Sequence, residues 1–378
     1  HLLEEQSELL GLSNQNLLRH LELQTIKQRN GNLPEIPLPY EKVPLYFRRA
    51  AINSAISMFR SYQGKLKAWE EGKIKGSKPS APKQLHMSML YYKGMYKEFN
   101  EKSIILKLFT GNSWAWVKHP YTVRPFPEDA ELMSPRIVMN KKKVMMHVPV
   151  KVSVEDIRTA KERVEQNEKF VSVAFTMSDA LAVCTTFEAN GRAMHPYFIK
   201  GGKVLAHRRK QLLGYTKRSS APENVNGRPN AKYYQKITRV TDHYAHEVSR
   251  KIVDYAIKQG AKLIVLPELK ESFYQAKKPY LGKTPYDFIG RRIARYVQYK
   301  AWQKGLVAMT SKPYYASTRC YHCGAPIAKH NTEYQNPSPN FYGGKNFMCK
   351  EGHRGSSALN SARNLGKGFY ERFYAGAA

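Results

Sequence analysis

Between residues 170 and 309 the sequence alternates apolar, β-rich segments with helical ones, and this order restricts the possible folds more than any other feature. Three short apolar segments come first, and the Asn190-Gly191 pair between the second and third is typical of a two-residue hairpin turn. The predicted strands and helices span 170–175, 181–187, 193–199, about 230–259, 263–266, about 286–304 and 306–309. Strands joined by a hairpin, followed by strands joined through helices, predict an α/β sheet of mixed pairing.

A helical region and a β-rich region precede this sheet. Apolar residues recur at three- and four-residue steps in 1–30 and 43–70, which predicts helices on either side of the Pro-rich stretch 31–40. A basic linker rich in Pro, Ser and Gly follows at 72–83. Short strands are predicted at 104–109, 114–118, 121–123, 135–139 and 144–152, with a hairpin turn at Asn140–Lys143. We therefore expect a small antiparallel β-domain between the helices and the sheet.

The charge balance points to a polyanionic partner. The 378 residues include 62 Lys and Arg against 30 Asp and Glu, so the formal net charge is +32. A surface with that excess attracts nucleic acid, although a basic enzyme of unrelated function is the alternative. The 25 Tyr and 15 Phe argue for packed domains and against a disordered basic chain. No run of about 18 apolar residues is present, so no transmembrane helix is expected.

Several basic clusters are candidates for contact with phosphates. Arg291, Arg292 and Arg295 follow helical spacing and form one predicted patch. The other candidates are Lys141, Lys142 and Lys143 in the predicted hairpin turn, and Arg208, Arg209, Lys210, Lys217 and Arg218 after the third strand of the sheet. Each cluster could instead be a solvated surface. Trp114 and Trp116 share a strand face, where packing in the β-domain core is favoured over stacking on a base.

Three of the four cysteines occur late in the chain, which indicates a metal site and a reducing compartment and argues against a disulfide framework. Cys320-x-x-Cys323-Gly324 has the spacing of a zinc knuckle, in which two thiolates reach one tetrahedral ion. Cys349-x-x-x-His353 supplies the other two predicted ligands, while His322 and His330 are alternatives for the fourth. A ribbon that folds without metal is the competing interpretation.

Carboxylates are scarce where a two-metal nuclease of the RNase H type needs them. Such an enzyme holds two Mg²⁺ with acids from the first strand, the end of a later strand and a C-terminal helix. Glu268 ends the strand Leu263–Leu266 and fits the second place, although it could equally be a remnant or an ordinary ion-pair partner. The first strand has no carboxylate at the expected place, and Asp179 lies five residues beyond that place. The last helix has no carboxylate either.

The motifs in these places resemble those of the TnpB family of transposon-encoded RNA-guided nucleases and of the type V CRISPR effectors. Leu263–Glu268 is similar to the second motif of their RuvC domain, and Ala358–Leu365 (ALNSARNL) to the last, which a CxxC ribbon precedes. Met146–Val150 resembles the close of the family's WED β-domain. The resemblance covers about 85–370 and implies that Ala174 and Ala358 stand where the family has Asp.

The resemblance implies a multidomain α+β chain. Its parts would be a helical recognition (REC) lobe, an antiparallel β-rich WED domain, a RuvC-like RNase H fold, a zinc-ribbon insert that binds target nucleic acid, and a C-terminal RuvC helix with a tail. The corresponding ranges are 1–84, 85–155, 156–319, 320–355 and 356–378.

The implied function is RNA-guided DNA binding without cleavage, as in the nuclease-dead TnpB-like repressors (TldR). The expected partners are a guide RNA and a double-stranded DNA target, bound by a monomer or dimer in the bacterial cytoplasm near the nucleoid. Structural zinc is expected, and Mg²⁺ is not expected at the RuvC site. The family's Asp is followed by x-Gly, whereas Ala174 is followed by Phe175-Thr176. Because the difference extends beyond the Asp, natural loss of the catalytic motif is favoured over an engineered inactive mutant. The alternatives are an active RNA-guided endonuclease using other acids such as Asp179, and a guide-independent transposition accessory protein.

Overall fold

In the computed structural model, the chain folds into two compact units, residues 1–153 and 154–378. It describes all residues except 1–2, 4–6, 28–29, 38–41, 75, 83–88, 101, 123–125, 127–129, 141–142, 177–178, 219–229, 270–288, 331–343 and 376–378. No helix among the described residues is both long and apolar enough to cross a membrane.

The first unit begins with helices whose bounds differ in part from the sequence prediction. Residues 43–70 form the predicted long helix, α2 (Leu45–Glu70). In 1–30, the predicted helical region contains a 3₁₀ turn at Ser7–Gly11 and, after a short break, the ten-residue α1 (Asn14–Leu23). Ser13 explains the break, since its side chain accepts a hydrogen bond from the Asn16 N–H and caps α1.

The second part of this unit is the predicted antiparallel β-domain. Its strands are β1 (Met89–Leu90), β2 (Tyr96–Lys97), β3 (Ser103–Phe109), β4 (Trp114–Pro120), β5 (Glu131–Leu132), β6 (Arg136–Asn140), β7 (Lys143–His147) and β8 (Val150–Lys151). Every described pairing among them is antiparallel. Pairing of Asn140 with Lys143 confirms the hairpin, whereas the strand expected at 121–123 is wrong because Tyr121 lies outside the strands. Trp114 stacks on Phe47 with ring centroids 4.9 Å apart, as core packing requires.

The second unit contains the predicted mixed sheet. Its strands are β9 (Phe170–Phe175), β10 (Ala180–Phe187), β11 (Ala193–Lys200), β12 (Leu263–Pro267) and β13 (Val307–Ser311), in the order β11-β10-β9-β12-β13. The pairs β11-β10 and β10-β9 are antiparallel, while β9-β12 and β12-β13 are parallel. Its helices are α3 (Ala160–Glu165), α4 (Gly202–Arg218), α5 (Ala231–Lys258), α6 (Gly290–Trp302) and α7 (Ser357–Phe373).

Helix α4 has no counterpart in the sequence prediction. The basic run beginning at His207 dominates its composition, so the apolar positions of the helix form no clear stripe. By contrast, α5 was predicted from regular apolar steps, and Gly260 follows it with φ +67°, the left-handed conformation that suits a residue after a helix end.

Alternate residues of β9 face opposite layers of the unit. Val171 and Val173 belong to the core cluster that contains residues of α5 and α6. Phe170 instead packs on Phe369 of α7, with ring centroids 5.1 Å apart. The buried Ser172 hydroxyl donates to the Ala362 carbonyl of α7 over 2.7 Å. The sheet is therefore covered by α5 and α6 on one face and by α7 on the other.

Helix α7 approaches the sheet so closely that a side chain at Gly366 has no room. A Cβ there would lie 2.1 Å from the Phe187 ring, whereas a Cβ at Gly368 would meet nothing within 4 Å. We expect Gly366→Ala to destabilise the protein by about 1–3 kcal/mol through overpacking. Gly368→Ala is the matched control and should be neutral or stabilising by up to about 1 kcal/mol. Thermal unfolding of both variants tests this, and equal melting temperatures would contradict the close approach.

Candidate nucleic-acid interface and metal centre

The carboxyl ends of β9 and β12 define one edge of the sheet. The two strands are parallel, with Phe170 opposite Leu263 and Ser172 opposite Val265. Ala174, 7% exposed, is the penultimate residue of β9. Glu268 follows β12 directly, and its N–H donates to the Ser311 carbonyl of β13 over 2.8 Å. Because parallel strands end at the same edge, the positions of Ala174 and Glu268 are neighbours there.

The start of α7 reaches the same edge. Phe369 packs against Phe170 and Ala362 bonds to Ser172, so the helix runs antiparallel to β9. Ala358 lies one turn before Ala362 on the same helix face, and Ala174 lies two residues beyond Ser172 on the same strand face. Both steps advance about 5–7 Å toward the edge. The fold thus brings the end of β9, the end of β12 and the start of α7, where the family resemblance implies three acids, to one edge of the sheet.

Only one of these three positions, Glu268, carries a carboxylate. Asp179 lies on the same side, just before β10, and its carbonyl accepts hydrogen bonds from Gly201 and Gly202 at 3.0 and 2.8 Å. In the described part of the chain, no group of three or more His, Cys, Asp or Glu at this edge brings its ligand atoms close enough to share a metal ion.

A Cys/His cluster forms in the small three-stranded sheet β14 (Ile327–His330), β15 (Asn346–Cys349) and β16 (Arg354–Ser356). The ligand atoms of Cys320, Cys323, Cys349 and His353 all lie within 4.8 Å of one another. Two tight turns bring them together: the Gly324 N–H donates to the Cys320 carbonyl at 2.9 Å, and the Gly352 N–H to the Cys349 carbonyl at 3.0 Å. Both glycines have φ near +75 to +80°. Three thiols and one imidazole at this spacing form a donor set that suits Zn²⁺.

Hydrogen bonding within the cluster favours a thiolate at Cys349. Burial raises the pKa of this thiol, but hydrogen bonds that include the His353 side chain and backbone outweigh it and lower the pKa to about 7. The Cys349 Sγ lies 3.4 Å from His353 Nδ1 and 3.7 Å from Cys323 Sγ. Metal binding requires the deprotonated thiol, so this arrangement favours a bound cation.

Of the three histidines considered as the fourth ligand, the structure brings His353 into the cluster. His322 stacks on the His353 ring at a centroid distance of 5.1 Å and lies outside the group. The side chain of His330 is outside the described residues.

Two asparagines of the last motif attach this ribbon to α7. Asn360 accepts a hydrogen bond from the Tyr321 N–H at 2.9 Å and donates to the Arg319 carbonyl at 2.7 Å. Asn364 donates to the Arg319 and Ala316 carbonyls at 2.6 and 3.1 Å. Sequence reasoning matched these residues to a family motif but gave them no role. Their role in holding the ribbon on α7 depends on hydrogen bonds between residues about 40 positions apart. No local sequence pattern indicates such contacts.

The predicted arginine patch lies at the start of α6. Arg292 pairs with Asp242 of α5 at 2.7 Å, and Arg295 lies over the Tyr296 ring at 5.1 Å. Arg291 donates to the Leu269 carbonyl at 3.2 Å. Because α6 leads from the carboxyl end of β12 back to the start of β13, its first turn lies at the same end of the sheet as Glu268.

The other basic candidates are placed differently. Arg208 and Lys210 of α4 are exposed, whereas Arg209 is 8% exposed, and burial together with the nearby Arg292 lowers its pKa. Lys141 and Lys142 lie outside the described residues. Lys143, Lys217 and Arg218 lie in described elements, but nothing is described of their side chains. Phosphate contact by these residues stays a prediction.

Two segments of the chain match known families. Residues 1–110 match the Aq_aa04 family, and residues 291–365 match the TNB domain of Cas12f1-like proteins. The second match extends from the arginine patch through the Cys/His ribbon into α7.

Two curated relatives are CRISPR-associated endodeoxyribonucleases. The chain is 28% identical over 181 residues to Cas12f1 from Sulfoacidibacillus thermotolerans, covering 45% of this chain and 39% of the relative. It is 27% identical over 222 residues to Cas12f2 from Micrarchaeota archaeon (strain CG1_02_47_40), covering 55% and 39%. The matched region is thus about two fifths of the length of each relative.

The fold is also similar to that of a solved Cas12f1 complex with single-guide RNA and target DNA. The TM-score is 0.51 at 16% identity, over 84% of this chain and 70% of that one. This likeness concerns the fold alone.

We expect one zinc ion per chain. His353→Ala should lower the zinc content, because it removes a ligand, whereas His322→Ala is the matched control and should leave it unchanged. Cys320→Ala should increase hydrogen exchange in β14–β16 but not in β9–β10, since structural zinc stabilises the small unit around it. Elemental analysis of protein purified without chelator measures the metal. Wild-type protein without zinc, or equal loss in both His variants, would rule out this ligand set.

Proposed function

We propose that this chain, a member of the TnpB and type V CRISPR effector family, binds double-stranded DNA under the direction of a guide RNA and does not cut it. The observation that carries the proposal is the sheet edge where Ala174, Ala358 and Glu268 meet. Two Mg²⁺ about 4 Å apart need several carboxylates to neutralise and position them, and one glutamate does not suffice. The expected result is a protein that keeps the fold of a nuclease and lacks its metal chemistry.

The surroundings of Ala174 support loss of the site. Ala174 is buried beside α7, so a carboxylate added there would need a metal or a hydrogen-bond donor to be stable. Thr176 follows β9 where the family has Gly, and its hydroxyl donates to the Ala180 carbonyl at 2.9 Å. This bond joins the residue after β9 to the first residue of β10, and it needs a hydroxyl that glycine lacks.

The charge of the chain supports nucleic-acid binding without chemistry. In RNA-guided proteins, base pairing with the guide reads the sequence, and the protein holds the heteroduplex by its shape and backbone. A net charge of +32 supplies the electrostatic attraction for such contacts. Bound stably over a promoter, the complex would repress transcription by occluding it, as the TldR branch of the family implies.

On this proposal each domain keeps the place that the family resemblance gives it. Residues 1–84 and 85–155 would be the REC lobe and the WED domain. Residues 156–319 and 356–378 would form the RuvC-like fold, with 320–355 as its zinc ribbon. Structural zinc holds the ribbon, and no Mg²⁺ is expected at the sheet edge.

An active endonuclease is the second candidate function, because both curated relatives are endodeoxyribonucleases. It would require Asp179, on the same side of the sheet, to join Glu268 as a metal ligand. A cleavage assay on guide-matched DNA separates the two functions.

We expect no Mg²⁺-dependent cleavage of DNA matched to the guide. The unmodified chain with its guide should leave both target strands intact while retarding the DNA on a native gel. Glu268→Ala and Asp179→Ala are the controls, and neither should alter the cleavage background. Matched-site cutting by the unmodified chain that disappears in either variant would establish the active endonuclease.

The arginine patch on α6 should contribute to the grip on phosphates. Replacing Arg291, Arg292 and Arg295 by Ala should weaken binding to all guide-matched targets alike, because phosphate contacts carry no sequence information. The slope of log K against log salt should flatten by about 0.7–0.9 for each phosphate that the variant no longer neutralises.

The matched control removes the same charge from the other end of the sheet. It uses three exposed lysines at that end. Lys258 is the last residue of α5, Lys262 directly precedes β12, and Lys304 follows α6. Replacing all three lysines by Ala should change the slope of log K against log salt less than replacing Arg291, Arg292 and Arg295 by Ala. Identical slopes in the two triple variants would show that the arginine patch is a solvated helix face.

A further inference from the structure

The sheet that β1, β6 and β7 form in the β-domain has β7 as an edge strand. The strand order is β1-β6-β7, so within the described residues β7 pairs on one side only, with β6. Because two residues separate Asn140 from Lys143, these two are a hydrogen-bonded pair, and such pairs alternate along an antiparallel ladder. The backbone N–H and C=O groups of Val144 and Met146 therefore point away from β6, toward the open side of the strand.

Apolar side chains lie on both faces of the hairpin next to this open side. Met139 and Val144 are opposite each other on one face and are 72% and 65% exposed. Ile137, on the same face, contacts the core of the β-domain, so the apolar surface continues beyond that core. On the other face Val138 lies opposite Met145, which is 44% exposed. Contiguous exposed apolar side chains of this kind mark interaction surfaces.

The strand lacks the features that usually protect an edge. Natural edge strands avoid pairing with other chains by means of Pro, charged side chains or a covering element. β7 contains no Pro, and its three central residues, Val-Met-Met, are apolar. Seven of the twelve methionines of the chain lie within 87–146, and flexible thioether side chains adapt to the shape of a partner. Open backbone groups beside adaptable apolar side chains are what an extended segment needs in order to join a sheet as a further strand.

The charges beside β7 indicate what kind of segment it binds. Arg136 and His147 are exposed and lie directly opposite each other on the face that carries Met145. The described ion pair of the β-domain joins Glu131 to Lys151, and in the described part of the chain Arg136 has no carboxylate partner. Residues 85–153 as a whole contain 11 Lys and Arg against 5 Asp and Glu. Charge complementarity therefore favours an acidic partner.

We propose that β7 binds an extended acidic segment of a partner protein, which joins the sheet as a fourth strand. The backbone of that segment bonds to the open N–H and C=O groups of Val144 and Met146. Its apolar side chains pack beside Val144 and Met145, and its carboxylates lie near Arg136 and His147. Nucleic acid is also negatively charged, but its phosphates gain nothing from exposed valine and methionine side chains. The proposal goes beyond RNA-guided DNA binding and does not depend on it.

The test measures binding of a fluorescein-labelled peptide, GEVEVEVEG, to the full-length protein freed of nucleic acid. In an added strand, its alternating side chains place carboxylates on one face and apolar groups on the other. The matched peptide GKVKVKVKG has the same pattern with the opposite charge. Fluorescence anisotropy should show saturable binding of the Glu peptide, and binding of the Lys peptide should be weaker by about fivefold or more.

Val144→Pro removes the N–H group that faces the open side and leaves the ladder bonds to β6 in place, since Pro is tolerated on edge strands. Val144→Ala is the matched control, because it also removes the valine side chain but keeps the N–H. The Pro variant should bind the Glu peptide about 2- to 12-fold more weakly than the Ala variant, the effect of one lost backbone hydrogen bond.

A charge reversal tests the surface without altering the backbone of β7. Arg136→Glu, at an exposed position on β6, should weaken binding of the Glu peptide by about 2- to 5-fold and strengthen binding of the Lys peptide by a similar factor. This variant keeps the proposal testable if the Pro variant disturbs the hairpin.

Three results would overturn the proposal. The first is no binding of the Glu peptide by the wild type, or binding that neither Val144→Pro nor Arg136→Glu alters relative to its control. The second is a wild-type dimer that becomes a monomer in Val144→Pro, measured by light scattering, because a second copy of this chain would then occupy β7. The third is binding of a U₁₂ strand that Val144→Pro weakens more than Val144→Ala does, which would assign the surface to nucleic acid.

Discussion

The packing of α7 against β9 is the contact on which the rest of the second unit depends. The buried hydrogen bond from Ser172 to Ala362 and the absence of a side chain at Gly366 allow the helix to lie directly on the sheet. The helix starts where the last strand of the ribbon ends, so its position also fixes the ribbon. Through Asn360 and Asn364 it holds the segment that enters the ribbon from the other side. The Cys/His cluster and the sheet edge are thus both positioned by one helix.

This architecture separates the parts that stabilise the protein from the part that would perform hydrolysis. The Cys/His cluster in the ribbon, the asparagines on α7 and the glycine beneath Phe187 are all present. At the sheet edge only Glu268 has a carboxylate, and Thr176 closes the neighbouring turn with a hydrogen bond. On the proposed function, the scaffold binds nucleic acid without the set of carboxylates that two Mg²⁺ would need.

The sequence predicted those features of the second unit that arise from local patterns. The mixed sheet followed from strand and helix periodicity, the hairpins from turn residues, and the cysteine pair of the ribbon from its spacing. Features that depend on contacts between distant residues were missed. Helix α4 was obscured by its basic composition, Arg209 proved largely buried, and the contacts of Asn360 with the ribbon became visible only in the folded chain.

Exchange of the guide sequence tests the central claim, RNA-guided DNA binding, most directly. The RNA that copurifies with the chain would be sequenced and its variable segment replaced, and DNase I protection of end-labelled DNA would be mapped with both RNAs. Guided binding predicts a protected region at the site that matches the original guide, and this region should move to the site that matches the new guide. Protection that stays in place after the exchange, or no protection with either RNA, would contradict guided binding.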